Sequence, residues 1–182
     1  MTPTIPETGE RDGLSYALFM PDGEPEAGVL ILHGAGSAKE SHFDYARVAQ
    51  AYGMAGLVYD ARGHGRSAGA WGPGAIDDAV TMLGLLRERG CPAVALRGSS
   101  MGGFSAILGA ARDGGAAAVV AICPAPETLL LRGVRADRFE FELDRWAVEL
   151  WLETVSVRDA AASLAPRTAL LLLHAQGDEQ VP

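Results

Sequence analysis

Ser100 stands in the run Arg97-Gly98-Ser99-Ser100-Met101-Gly102-Gly103, which follows an apolar stretch, Ala93 to Leu96, and leads straight into a helical pattern. A Gly-x-Ser-x-Gly spacing in that setting forces the central serine into a sharp strand-to-helix turn. The flanking glycines let backbone segments approach closely, and the helix N-terminus favours negative charge developing nearby. Such a serine can serve as a nucleophile in acyl transfer. The bland alternative is a glycine-rich loop with an incidental serine, and the strand before and helix after argue against it. Ser99 is the neighbouring position and is not the candidate. A second glycine-rich turn, His33-Gly34-Ala35-Gly36, follows the apolar run Val29 to Leu32. In a serine hydrolase a loop of this kind supplies one amide of an oxyanion hole, and the residue after the nucleophile supplies the other. Those amides belong to Ala35 and Met101. Only the backbone is implicated; the His33 side chain reads as structural.

The elements that must position these groups are legible from hydrophobic pattern. Val29 to Leu32, Gly56 to Tyr59, Ala93 to Leu96, Ala117 to Ile122 and Thr168 to Leu173 are solid apolar runs, the habit of strands covered on both faces of a parallel sheet. Between them lie helical spacings: Tyr45, Val48, Ala49 and Tyr52; Ile76, Val80 and Leu83; and Phe104, Ile107, Leu108 and Ala111, the last ending at Gly114 and Gly115. This order predicts an α/β fold with a doubly wound, mostly parallel sheet, whose ligands bind outside the carboxyl ends of the strands. Leu14 to Met20, followed by Pro21-Asp22-Gly23, reads as an antiparallel edge strand. Residues 126–166 break the rhythm and are read as a small helical cap, with Phe139, Leu143, Trp146 and Leu150 at helical spacing. That stripe is either core or the lining of an acyl pocket. The chain is then a single domain over 1–182, with its core in 14–125 and 167–182.

Bulk properties exclude several classes of function. The chain has 182 residues, 48% of them hydrophobic, which suits one folded domain. A net charge of −8 offers no basic excess for nucleic acid or anionic membrane. Cys91 and Cys123 have no metal-binding spacing and read as small reduced core residues, as expected of a cytoplasmic protein. No leader-like or membrane-spanning apolar stretch is visible.

With both glycine-rich motifs in place, the chain resembles the α/β-hydrolase superfamily, in particular small bacterial serine hydrolases of the esterase and S33-peptidase-like kind. Tyr59-Asp60-Ala61-Arg62-Gly63-His64-Gly65-Arg66-Ser67 resembles the family's loop after its next strand, and Leu170 to Pro182, ending in His174 to Pro182, resembles its acid loop. The resemblance makes Asp178 the triad acid, which holds an imidazole in the right tautomer while it moves the serine proton. It implies an acyl-enzyme on Ser100, a small-molecule acyl substrate and no cofactor or metal. The family's order places its histidine after the acid, yet only Glu179, Gln180, Val181 and Pro182 follow Asp178. The four histidines present all precede it, and His42 is the least improbable substitute. A fragment lacking its C-terminal strand and helix is expected, with poor catalysis by the chain as it stands. Self-association is expected through apolar surface left on Val29 to Leu32 and on an open edge at Thr168 to Leu173. The alternative is a non-catalytic binding or scaffold protein that keeps the fold without the base.

Overall fold

Continuous apolar strands need cover on both faces, and the computed structural model, which describes residues 5–179 and 181, supplies it with helices. The strands are β1 (Glu7–Arg11), β2 (Leu14–Phe19), β3 (Ala27–Leu32), β4 (Met54–Tyr59), β5 (Val94–Ser99), β6 (Ala118–Ile122) and β7 (Ala169–Leu173). They form one sheet in the order β1-β2-β4-β3-β5-β6-β7. From β4 to β7 every neighbour is parallel, while β1 and β2 are antiparallel. The helices are α1 (Phe43–Ala51), α2 (Ala75–Glu88), α3 (Met101–Asp113), α4 (Glu127–Arg135), α5 (Arg145–Thr154) and α6 (Val157–Ala162). One face packs on α1 through Phe19, Ile31, Val58 and Ala46. The other packs on α2 and α3 through Leu30, Leu57, Leu96, Met82, Leu86 and Ile107. Connections leave β3 in one direction and β5 in the other, so the strand order reverses between them. That crevice is where the fold leaves room for a ligand.

The N-terminal hairpin differs from the sequence reading. β2 is not an edge, because β1 pairs outside it in the register Arg11 to Leu14. The turn between them is Asp12-Gly13, with φ of 52° and 79°, the left-handed pair that a two-residue hairpin of the favoured twist requires. β1 itself, Glu-Thr-Gly-Glu-Arg, has no apolar face to reveal it.

The face of α1 differs as well. The spacing of Tyr45, Val48 and Tyr52 suggests a buried stripe, yet these residues are 41%, 53% and 74% exposed. Only Ala49, the remaining member of that stripe, is buried, and Ala46 is buried beside it. The reason lies in β4: a side chain at Gly56 would stand 2.8 Å from the Ala46 carbonyl, so helix and strand meet through their smallest residues. Of residues 126–166, α4 and α5 pack against each other, and α6 lies along α3. Among the described residues no helix is long and apolar enough to cross a membrane.

The expected exposure of apolar surface falls on one strand and not the other. Val29 to Leu32 is buried, because β3 lies between β4 and β5 with helices on both faces. Leu171, Leu172 and Leu173 are 51%, 56% and 45% exposed. Among the described residues β7 has a strand partner on one side only. An open, apolar, uncharged edge invites pairing with another chain. The 182-residue chain is therefore expected to self-associate and to bind a dye that reports apolar surface. Leu171→Lys combined with Leu173→Lys should shift it toward monomer in size-exclusion chromatography and lower dye binding. An unsubstituted chain that runs as a monomer at every concentration would contradict this.

Candidate active site

The crevice between β3 and β5 opens into a cleft of about 820 Å³, whose lining includes Gly34, Ala35, His42, Ser100, Phe139 and Val181. Ser100 is the single residue between β5 and α3, and its backbone is held at φ 53° and ψ −120°. That region is costly for a residue with a side chain, by about 1–3 kcal/mol, and is kept only where the surroundings enforce it. Here three backbone hydrogen bonds do so. The Ser100 amide donates to the Ile122 carbonyl (3.0 Å), and the Ser100 carbonyl accepts from the amides of Phe104 (3.1 Å) and Ala125 (3.1 Å). The elbow glycines are equally necessary. A Cβ on Gly98 would collide with the Gly102 carbonyl, and one on Gly102 with the carbonyls of Leu32 and His33. The turn therefore packs directly on the end of β3, and a Cβ on Gly34 would lie 3.6 Å from the Ser100 Cβ.

The loop 33–36 is braced by two imidazoles. His33 is 3% exposed; its Nδ1 donates to the Gly34 carbonyl (2.8 Å) and its Nε2 accepts from the Ala61 amide (2.9 Å). His64 Nδ1 donates to the Arg62 carbonyl (3.0 Å) and Nε2 accepts from the Gly36 amide (3.2 Å). The rings meet edge to face, 4.9 Å between centroids. Burial lowers the pKa of both, so each is a neutral spacer with both nitrogens engaged. Neither can take a proton from Ser100 without breaking the loop. Within the described residues no hydrogen bond uses the amide of Ala35 or of Met101. The Met101 side chain is buried in the core, leaving its amide at the head of α3, where a helix has no internal acceptor for it.

The remaining histidines are less available than the sequence suggests. His42 lines the cleft, but its Nδ1 lies 3.3 Å from an Arg97 guanidinium nitrogen. A guanidinium can only donate, so Nδ1 accepts and the ring proton sits on Nε2. Burial and then the Arg97 charge lower the His42 pKa. In that tautomer Nδ1 is engaged and Nε2 carries the proton, so His42 could act as a base only by giving up the Arg97 contact. His174 is exposed just past β7 and is not part of the cleft lining. Asp178 lies in the loop after β7, where its Oδ1 accepts from the Val181 amide (2.9 Å). Its neighbours Glu179 and Val181 line the cleft; Asp178 does not. The structure thus brings Ser100 and Ala35 to one cleft with Met101 behind them, and sets Asp178 at its edge.

The cap contributes differently from its apolar spacing. Trp146 and Leu150 are 77% and 51% exposed and face away from the core. α5 instead buries Val148 and Leu152, with Trp151 edge-on to Trp71 and Phe104. Phe139 and Leu143 precede the helix, so the four residues do not share a helical face, and only Phe139 lines the cleft. Arg132 and Arg138 also line it and were missed by the sequence reading. Nothing in their spacing marks them, because a turn after α4 brings them together. Cys91 is buried, Cys123 partly so, and both are free. No group of three or more potential metal ligands occurs among the described residues.

Comparison with known proteins bears on this arrangement. A family model described as Serine aminopeptidase, S33 matches residues 23–135, more than half the chain. Est1E from Butyrivibrio proteoclasticus superposes with a TM-score of 0.78 at 18% identity, covering 98% of this chain and 81% of that one. The α/β-hydrolase GrgF from Penicillium sp. sh18 gives 0.70 at 19% identity, covering 93% and 78%. A soluble variant of monoglyceride lipase from Saccharomyces cerevisiae, in complex with a substrate analog, gives 0.63 at 15%, covering 96% and 88%. At these identities the likeness is one of fold. A search of curated proteins finds no match.

The carboxylate beneath this loop gives the site a pH signature. Asp60 is fully buried and accepts from Lys39 Nζ (2.5 Å), the Lys39 amide (2.8 Å) and the Arg66 amide (2.9 Å). Burial works to raise its pKa, but the Lys39 side chain and the two amides outweigh that and hold the carboxyl below its ordinary range. A carboxyl depressed by folding stabilises the native state above its unfolded pKa of about 3.9; that contribution is lost as pH falls through the folded value. Asp60→Asn should cost up to about 3–5 kcal/mol at neutral pH, because it leaves the buried Lys39 ammonium with only the half-exposed Glu40 carboxylate, 3.1 Å away, as a charged partner. The gap from the parent should narrow as pH drops below about 4. Urea unfolding of both proteins across that range checks this, and a gap independent of pH would contradict it.

Proposed function

Because the chain belongs to the hydrolase family described as Serine aminopeptidase, S33, we propose that it hydrolyses an ester, thioester or amide through an acyl-enzyme on Ser100. The observation that carries this reading is the Ser100 elbow at φ 53°, standing on the cleft beside the loop 33–36. In this reading Ser100 Oγ attacks the substrate carbonyl carbon and its proton passes to a base. The carbonyl oxygen becomes an oxyanion that accepts hydrogen bonds from the amides of Ala35 and Met101. Collapse expels the leaving group with a proton, and water then cleaves the acyl-serine by the same route. Asp178 is assigned to orient and stabilise an imidazole that acts as the base. His33, His64 and His42 are all committed to other bonds, so none of them is assigned that role.

Those committed imidazoles are also the one feature that favours a second reading, a protein that binds ligands in the cleft without turning them over. Chemistry at Ser100 separates the two. The protein translated from its whole reading frame should react with a fluorophosphonate probe, and peptide mapping should find the adduct on Ser100. Ser100→Ala should abolish labelling, while Ser99→Ala should leave most of it. Adduct on another residue, or labelling undiminished in Ser100→Ala, would refute the assignment. No labelling at all, with a ligand held in the cleft, would support the binding protein.

A further inference from the structure

The cap presents two arginines to the cleft that its folding does not use. α4 ends in a turn where the Arg138 amide donates to the Gly133 carbonyl (3.0 Å), which folds the chain back over the helix. Phe139 then lies across Gly133, its ring 2.7 Å from where a Cβ would stand, so a side chain there would push the ring aside. The consequence is a rim made of Arg132, Gly133, Arg138 and Phe139 on the same cleft as Ser100. On the outer side of the cap, Arg135 is ion-paired to Glu149 and Glu153, and Arg145 to Glu149 and Asp137. Arg132 and Arg138 take part in no ion pair among the described residues, and both are exposed.

The charge balance is local and opposite to that of the chain. The chain carries a net charge of −8, yet among the described residues the charged ones lining the cleft are these two arginines and one acid, Glu179. Neutral His42 adds no charge. Two arginines lining one cleft with an aromatic ring and two leucines, Leu129 and Leu130, match a ligand with an apolar body and an anionic end. We propose that the substrate carries a carboxylate or phosphate set apart from the scissile carbonyl, and that Arg132 and Arg138 select it. The apolar part lies against Phe139 and the leucines, while the anion meets the two guanidinium groups. This inference rests on the reading of Ser100 as nucleophile.

The test uses pairs of esters with the same reacting carbonyl. p-Nitrophenyl hydrogen glutarate is compared with p-nitrophenyl pentanoate for an anion on the acyl side. A butyrate ester of carboxylated nitrophenol is compared with p-nitrophenyl butyrate for the leaving-group side. The protein translated from its whole reading frame should favour the anionic member of at least one pair by about tenfold in kcat/KM, and the preference should shrink with added salt. Arg132→Gln and Arg138→Gln should each remove much of that preference through KM, and the double variant all of it. Turnover of the neutral ester should change far less than that of the anionic one, since it offers the arginines no charge to meet. Equal or lower activity on both anionic esters would overturn the proposal, as would variants that slow neutral and anionic esters alike. Ser100→Ala distinguishes the underlying reading: if it abolishes turnover of every ester while no anionic preference exists, Ser100 stands and the arginine assignment alone falls. If turnover survives Ser100→Ala, the nucleophile reading falls instead.

Discussion

The turn at Ser100 is possible because two neighbouring positions have no side chains, and the rest of the site follows from that. Gly98 and Gly102 let the start of α3 sit against both the end of β5 and the carbonyls of Leu32 and His33. Any Cβ there would push the helix away from β3, and with it the serine away from loop 33–36. The backbone strain at Ser100 is offset by three hydrogen bonds, two of which reach across to β6 and the segment after it. The sheet order matters for the same reason. Placing β3 next to β5 brings the ends of two loops, far apart in sequence, to one crevice.

A second layer of polar contacts fixes the β3 side of that crevice. A loop such as 33–36 would be mobile if only its own backbone defined it. Two buried neutral imidazoles and the Lys39–Asp60 pair instead tie it to the loop after β4. A buried ion pair is seldom worth much as net stability, but it penalises any arrangement that separates its members. Asp60 meets amides from the segments after β3 and after β4, Lys39 and Arg66, so this pair sets the spacing between those two loops.

Much of this arrangement was legible in the sequence. The solid apolar runs identified the five parallel strands, and the glycine spacing identified the elbow, because both follow from local chemistry. Faces were less legible. Tyr45, Val48 and Tyr52 repeat like a buried stripe, but contact through Ala46 and Gly56 decides which side of α1 packs. Trp146 and Leu150 mislead in the same way, since the helix begins only at Arg145 and its core face is Val148 and Leu152. β1 went unread because an exposed edge strand needs no apolar alternation, although Asp12-Gly13 was a usable turn signal. Arg132 and Arg138 could not have been found from spacing, since they converge only through the Gly133 turn.

The proposed acyl-enzyme chemistry requires Ser100 Oγ and the amides of Ala35 and Met101 to surround one point at which an oxyanion can form. The most direct measurement is a crystal structure of the protein after reaction with a p-nitrophenyl alkylphosphonate, which leaves a tetrahedral phosphonyl group on a nucleophilic serine. The account predicts phosphorus bonded to Ser100 Oγ, with one phosphonyl oxygen within hydrogen-bonding distance of both amides and the alkyl chain in the cleft beside Phe139. A phosphonyl group on another residue, or on Ser100 with its oxygen turned away from Ala35 and Met101, would contradict it.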